Sequence, residues 1–139
     1  MLEPTGLSRV NNKRPDGITL YPFSNGKCLA WDATCADTYC QSNIGETACN
    51  PGAAATSAES AKRNHYADLA ERYRFEPVAV ETTGAFGRTT EKFVAELGKR
   101  LASRTGERRE TEWLRQRISV AIIRSNAASI RATGGIEAS

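Results

Sequence analysis

The chain has 139 residues, 40% of them apolar, and a net charge of +3; this fits one domain with a modest core and excludes a wholly disordered chain. No apolar run approaches the ~20 residues of a membrane-spanning helix, and Met1-Leu2-Glu3-Pro4 has neither the basic start nor the apolar core of a secretory signal, so a soluble intracellular protein is expected. Residues 1–70 carry six Lys/Arg against seven Asp/Glu and residues 71–139 carry thirteen against nine, which places the basic excess in the C-terminal half.

In chain order, residues 1–12 are polar, contain Pro4, Gly6 and Asn11-Asn12, and hold no sustained period, so they read as a flexible tail ahead of a domain over 13–133. Residues 17–23 and 28–35 are rich in β-branched and aromatic side chains, and Ser24-Asn25-Gly26-Lys27 between them predicts a β-hairpin because Asn-Gly tolerates positive φ. Residues 36–56, with Asn43, Gly45 and Asn50-Pro51-Gly52, read as a long connection. A helix is expected from Ser57 to about Tyr73, with Ser57 as N-cap, followed by a short strand Phe75–Thr82 whose Pro77 directs it to an edge or a bulge. Two helices, Thr90–Ser103 and Glu110–Arg131, are divided by Thr105-Gly106, and residues 134–139 read as a second tail. Phe93, Leu97 and Leu101 form one apolar stripe and Leu114, Ile118, Ala121 and Ile122 another, as core-facing helices require. The order of elements predicts an α/β domain with helices packed on a small mixed sheet.

Four cysteines, Cys28, Cys35, Cys40 and Cys49, are irregularly spaced without a Cys-x-x-Cys pair, and His65 is the single histidine, so the pattern does not read as a zinc site. Cys28 and Cys35 fall in the second strand, where a reduced cysteine behaves as a small hydrophobe.

The chemistry-bearing feature is a pair of aspartates, Asp16 and Asp32, one carried by each of the two strand-like runs, with fifteen residues between them. Two converging carboxylates can hold Mg²⁺. Convergence depends on register, because side chains alternate across a strand. An uninterrupted ladder from a two-residue turn at Asn25-Gly26 would pair Asp32 with Thr19 and set Asp16 opposite Cys35, on the other face. A bulge at Gly17 or a three-residue turn would shift the parity and bring the carboxylates together.

Arg14-Pro15-Asp16, then Trp31-Asp32-Ala33-Thr34-Cys35-Ala36-Asp37-Thr38, then Ala58-Glu59-Ser60-Ala61-Lys62-Arg63-Asn64-His65-Tyr66 stand in an order that resembles a known family, with Leu114-Arg115-Gln116-Arg117-Ile118-Ser119-Val120-Ala121 near the end of the matching region. Over about residues 12 to 133 the chain resembles the restriction-endonuclease-like domain, of the PD-(D/E)XK superfamily, that follows the reverse transcriptase in non-LTR retrotransposon polyproteins. That resemblance implies a nuclease-like α/β fold truncated at its N-terminus, a nuclear location, Mg²⁺ on Asp16 and Asp32, and nicking of target DNA for target-primed reverse transcription. It also implies a reverse transcriptase and its RNA template as further partners. The superfamily lysine two residues beyond the second acid is replaced here by Thr34, and the resemblance makes Lys62 its substitute, with His65 standing where a lysine precedes Tyr66. His65 can transfer protons near neutral pH, and Asp37 and Glu59 are lesser candidates for a second metal or for positioning water.

For DNA, the expected phosphate contacts are Lys13, Arg14 and Arg63 near the aspartates and Arg108, Arg109, Arg115 and Arg124 in the basic half. The other reading is a catalytically inactive DNA-binding module or a degenerate retroelement remnant, toward which Thr34 and His65 point.

Overall fold

The computed structural model describes residues 14–37 and 50–138, with side chains in the last helix described as far as residue 129. The proposed tail 1–12, Lys13, Cys40, Cys49 and most of the long connection lie outside the described residues. The chain is α/β, as expected: a mixed sheet of three strands, β1 (Gly17–Ser24), β2 (Lys27–Ala36) and β3 (Tyr73–Glu81), in the order β1-β2-β3, with β1 antiparallel and β3 parallel to β2. Helix α1 (Ala53–His65) and a 3₁₀ turn (Ala67–Glu71) link the parallel strands. Helices α2 (Arg88–Thr105) and α3 (Glu110–Ala138) follow. None of the helices among the described residues is long and apolar enough to cross a membrane.

The two faces of the sheet carry separate cores. Ile18, Ala30 and Phe75 pack with Tyr66 and Leu69 on the α1 side, and Leu29 and Val78 pack with Phe93 on the other, where Leu97, Ile118 and Ile122 of α2 and α3 close over them. The alternation along β2, with Ala30 on one face and Leu29 on the other, is that of a strand buried on both sides.

Pro77 sits well within β3 because β3 is an edge strand. Its carbonyl and the N–H of Ala79 point outward, the latter donating to Thr90 Oγ1 at 2.9 Å, so the missing proline N–H removes no ladder bond. The same edge is closed to other strands by Arg63 on the Phe75 carbonyl, Gly87 N–H on the Ala79 carbonyl and Glu81 N–H on the Ala85 carbonyl.

Helix α1 begins at Ala53, four residues before the expected Ser57 cap, and ends at His65, where a 3₁₀ turn replaces the rest of the helix expected as far as Tyr73. Its first turn has no side-chain cap of its own. Instead, buried Glu81 at the end of β3 accepts the Ala55 N–H at 3.1 Å. Glu59 of α1 does the same for α2, accepting the N–H groups of Thr89 (3.0 Å) and Thr90 (2.7 Å) and the Thr90 hydroxyl. Orphan N–H groups at both helix starts are therefore met by carboxylates from elsewhere in the chain. This corrects Glu59 as a candidate for metal or water: its oxygens are engaged in capping. Gly87, the residue before α2, is required because a Cβ there would strike the Glu59 carboxylate. At the other end α2 stops at Gly106, in the left-handed region at φ 78°, as the Thr105-Gly106 signal predicts. Helix α3 runs on to Ala138, past the expected end at Arg131 and through the residues read as a tail.

Truncating Glu59 to alanine strands the buried N–H of Thr90 and the half-buried N–H of Thr89, so Glu59→Ala is expected to cost about 3 kcal/mol, read as a fall in the urea midpoint with an unchanged m value.

Candidate active site

The hairpin turn is the two-residue type that Asn25-Gly26 predicts, with φ 50° and 76° at the two positions and Ser24 paired with Lys27. By parity alone that turn would separate the aspartates. The ladder does not run uninterrupted, however: register shifts occur between Ser24 and Pro22 and between Pro22 and Ile18, so that β1 takes seven steps from Ser24 to Gly17 while β2 takes four from Lys27 to Trp31. The difference is odd, and it turns Asp16 to the face of Asp32. The bulge is therefore not at Gly17. The odd step falls between Ser24 and Pro22; the further shift between Pro22 and Ile18 is of two residues and is spanned by Thr19, whose hydroxyl accepts the Leu29 N–H and donates to the Tyr21 carbonyl, each at 2.9 Å. Gly17 has a different reason: the Trp31 indole lies where its Cβ would be.

One step beyond the Gly17 and Trp31 pair, Asp16 stands alongside Asp32. Asp16 Oδ2 accepts the Ala33 N–H at 2.6 Å, which sets its carboxylate beside Asp32. Asp16 is exposed, whereas Asp32 is buried on the α1 face. Lys62 of α1 reaches down to Asp32 with Nζ 2.7 Å from Oδ2. Burial pushes the Asp32 carboxyl above its usual range, and the negative charge of Asp16 adds to the effect against the opposing pull of Lys62. Burial works to lower the Lys62 ammonium, but its hydrogen bond and attraction to Asp32 outweigh this and move it upward.

Asp16, Asp32 and Lys62 thus meet at one point. Tyr66 also belongs there: it is buried, packs its ring tilted against Phe75 at 4.9 Å and donates its hydroxyl to the Arg14 carbonyl at 2.8 Å. The signal available in the sequence was its spacing, since Tyr66 follows Lys62 by four residues, one helical turn. His65 is exposed beside it with its ring edge-on to Tyr66 at 4.7 Å. Thr34 is half-buried on β2 and pairs with Ala79.

The basic residues differ in exposure. Arg63 donates to the Phe75 carbonyl and pairs with Glu76, and Arg115 pairs with Glu91 and lies over Phe86 at 4.5 Å. Arg109 pairs with Glu107 at 3.2 Å and lies over Trp113 at 5.0 Å. Arg14, Arg108 and Arg124 are exposed, the last in a shallow cleft with Arg117 and Gln116. Helix α3 packs on the sheet face opposite the aspartates, so Arg115 and Arg124 belong to the other layer.

The donor set fits a hard divalent cation: two adjacent carboxylates, one open to solvent, suit Mg²⁺, which keeps several of its waters and takes one or two protein carboxylates. Among the described residues no group of three or more His, Cys, Asp or Glu side chains is arranged around a common point. Compared with protein-family models, curated proteins and solved structures, the chain matches none.

The raised Asp32 carboxyl has a consequence for stability. Because the folded state holds this proton more tightly than the unfolded chain, whose reference value is 3.8, the contribution is present below pH 3.8 and lost as pH rises through the higher folded midpoint. Ionised Asp32 is then a net cost at pH 7, and Asp32→Asn is expected to keep or raise the urea midpoint there. Lys62 has the complementary sign: its raised midpoint leaves its contribution fully present below 10.5. Lys62→Met, which abandons the buried carboxylate, is expected to lower stability at pH 7 by about 1 kcal/mol, a third of the lysine side chain being already in solvent.

Proposed function

We propose that the chain is a retroelement-derived, Mg²⁺-dependent DNA endonuclease domain of PD-(D/E)XK type that nicks target DNA for target-primed reverse transcription. The observation that carries this reading is the meeting of Asp16, Asp32 and Lys62 on one sheet face, three residues that the sequence resemblance singles out and that lie far apart in the chain. In this reading Asp16 and Asp32 would hold the ion, with Asp16 at the surface and open to the substrate. An ion held there would supply a water of lowered pKa and neutralise charge on the scissile phosphate. Lys62 steadies Asp32 and turns its remaining N–H donors toward the phosphate oxygens, where negative charge grows in the transition state. The N–H of Ala33 keeps Asp16 Oδ2 in place. A reverse transcriptase and its RNA template are the partners this role calls for, with the nucleus as its location.

With purified protein and duplex or branched DNA, Mg²⁺-dependent nicking is expected. It should fall at least ~100-fold in Asp16→Ala and in Asp32→Ala, with circular dichroism unchanged because neither substitution removes core area. Nicking that persists in Asp32→Ala, or that is absent from the native chain, would overturn the reading and leave DNA binding without cleavage.

DNA binding should separate exposed from committed arginines. If the α3 surface contacts phosphate, Arg124→Ala should flatten the dependence of log affinity on log salt by about 0.9, measured by fluorescence anisotropy. Arg115→Ala should leave that slope unchanged and lower stability by about 1 kcal/mol through loss of the Glu91 pair and the Phe86 contact.

A further inference from the structure

The carboxylate pair has a mechanical weakness. Asp16 lies one residue outside the β1 ladder, whose last pair is Gly17 with Trp31, so no strand pairing holds it. Two like charges side by side repel. The Ala33 N–H on Asp16 Oδ2 opposes that repulsion with one hydrogen bond, and the aspartate itself is exposed. The approach of the chain to Asp16 must be held by something else.

The buried Pro15 anchors one side, and Tyr66 holds the other. The Tyr66 ring packs between Phe75 and His65 and needs no hydroxyl to do so. Its hydroxyl instead donates to the Arg14 carbonyl, a main-chain group two residues before Asp16 and 52 residues away in sequence. A phenol has one proton to give, and here it is given to the segment that carries the first carboxylate. Lys62, one turn earlier on α1, gives its own hydrogen bond to the second. One helix therefore sets both aspartates.

We propose that Tyr66 is the positioning residue of this pair: by holding the Arg14 carbonyl, its hydroxyl keeps the Asp16 carboxylate against Asp32. Its bearing on catalysis rests on the endonuclease reading; its bearing on geometry does not. The groups facing Asp32 are Asp16 ahead of β1 and Lys62 and Tyr66 of the α1 segment. Replacing a neutral hydroxyl changes no charge among them. Any movement of the Ala33 amide in Tyr66→Phe then reports displacement of the Asp16 carboxylate to which it donates.

The experiment follows the Ala33 amide, whose N–H the Asp16 carboxylate accepts, by NMR chemical shift and hydrogen exchange at one fixed pH in the native chain, in Tyr66→Phe, and in a chain with p-aminophenylalanine at position 66, whose N–H can still donate to Arg14. The Phe chain is expected to remain folded with the Ala33 amide shifted and its exchange at least ~10-fold faster, and the amino chain to return both to the native values. Nicking, where the native chain nicks, should slow on the order of 10- to 100-fold in the Phe chain and recover in the amino chain. An Ala33 amide that is the same in the native and Phe chains would overturn the proposal. So would unfolding of the Phe chain, which would assign the hydroxyl to the fold. The amide measurement uses no substrate, so a native chain that nicks nothing sinks the endonuclease reading and leaves this test standing.

Discussion

Helix α1 has no large apolar side chain along Ala53–His65, and its place against the sheet depends on two buried carboxylates. Glu81 closes its first turn from β3, and Glu59 reaches from its middle to close the first turn of α2. Caps of this kind satisfy donors that would otherwise be buried unpaired, and they act at a distance because a carboxylate carries its charge to the positive end of a helix. They fix the axial position of α1, and with it the point at which Lys62 meets Asp32. A helix docked on alanine alone would have no such register, since small side chains slide over a sheet with little change in packing.

A similar economy governs the hairpin. The Asn25-Gly26 turn sets one register, and the irregular stretch of β1 around Thr19 and Pro22 replaces it with another. A proline costs little on β1, an edge strand of the sheet among the described residues, and the Thr19 hydroxyl meets the Leu29 N–H of β2 within the irregular stretch. The result is an odd offset, and an odd offset is what places both aspartates on the α1 face. Gly17 then gives the Trp31 ring room to lie flat across the strand, which closes the opposite face over the same pair of residues.

The electrostatics of the site run against stability. One lysine faces two carboxylates, and the buried one is held above its ordinary range. A cation bound between the aspartates would relieve both the repulsion and the burial cost, and sites strained in this way are where function is often found. The arginines are arranged otherwise. Arg63, Arg109 and Arg115 answer to glutamates and aromatic rings within the chain, so the positive excess of the C-terminal half overstates the charge available to a partner.

The sequence by itself determined the local elements and the identity of the chemical groups. The Asn-Gly turn, the alternation along β2, the edge assignment of Pro77, the Gly106 stop and the stripes of Phe93 with Leu97 and of Leu114 with Ile118 are all written in neighbouring residues, because turn dihedrals and amphipathic periods are short-range properties. Asp16, Asp32 and Lys62 could be named for the same reason, from residue type and order. What only the tertiary structure decided was whether they meet. That rested on an odd register offset, on a helix start moved to Ala53 by a glutamate 26 residues downstream of its partner, and on a tyrosine bound to a carbonyl 52 residues before it. Each is a contact between segments remote in sequence, and its energy exists only once the sheet and helices have closed on one another.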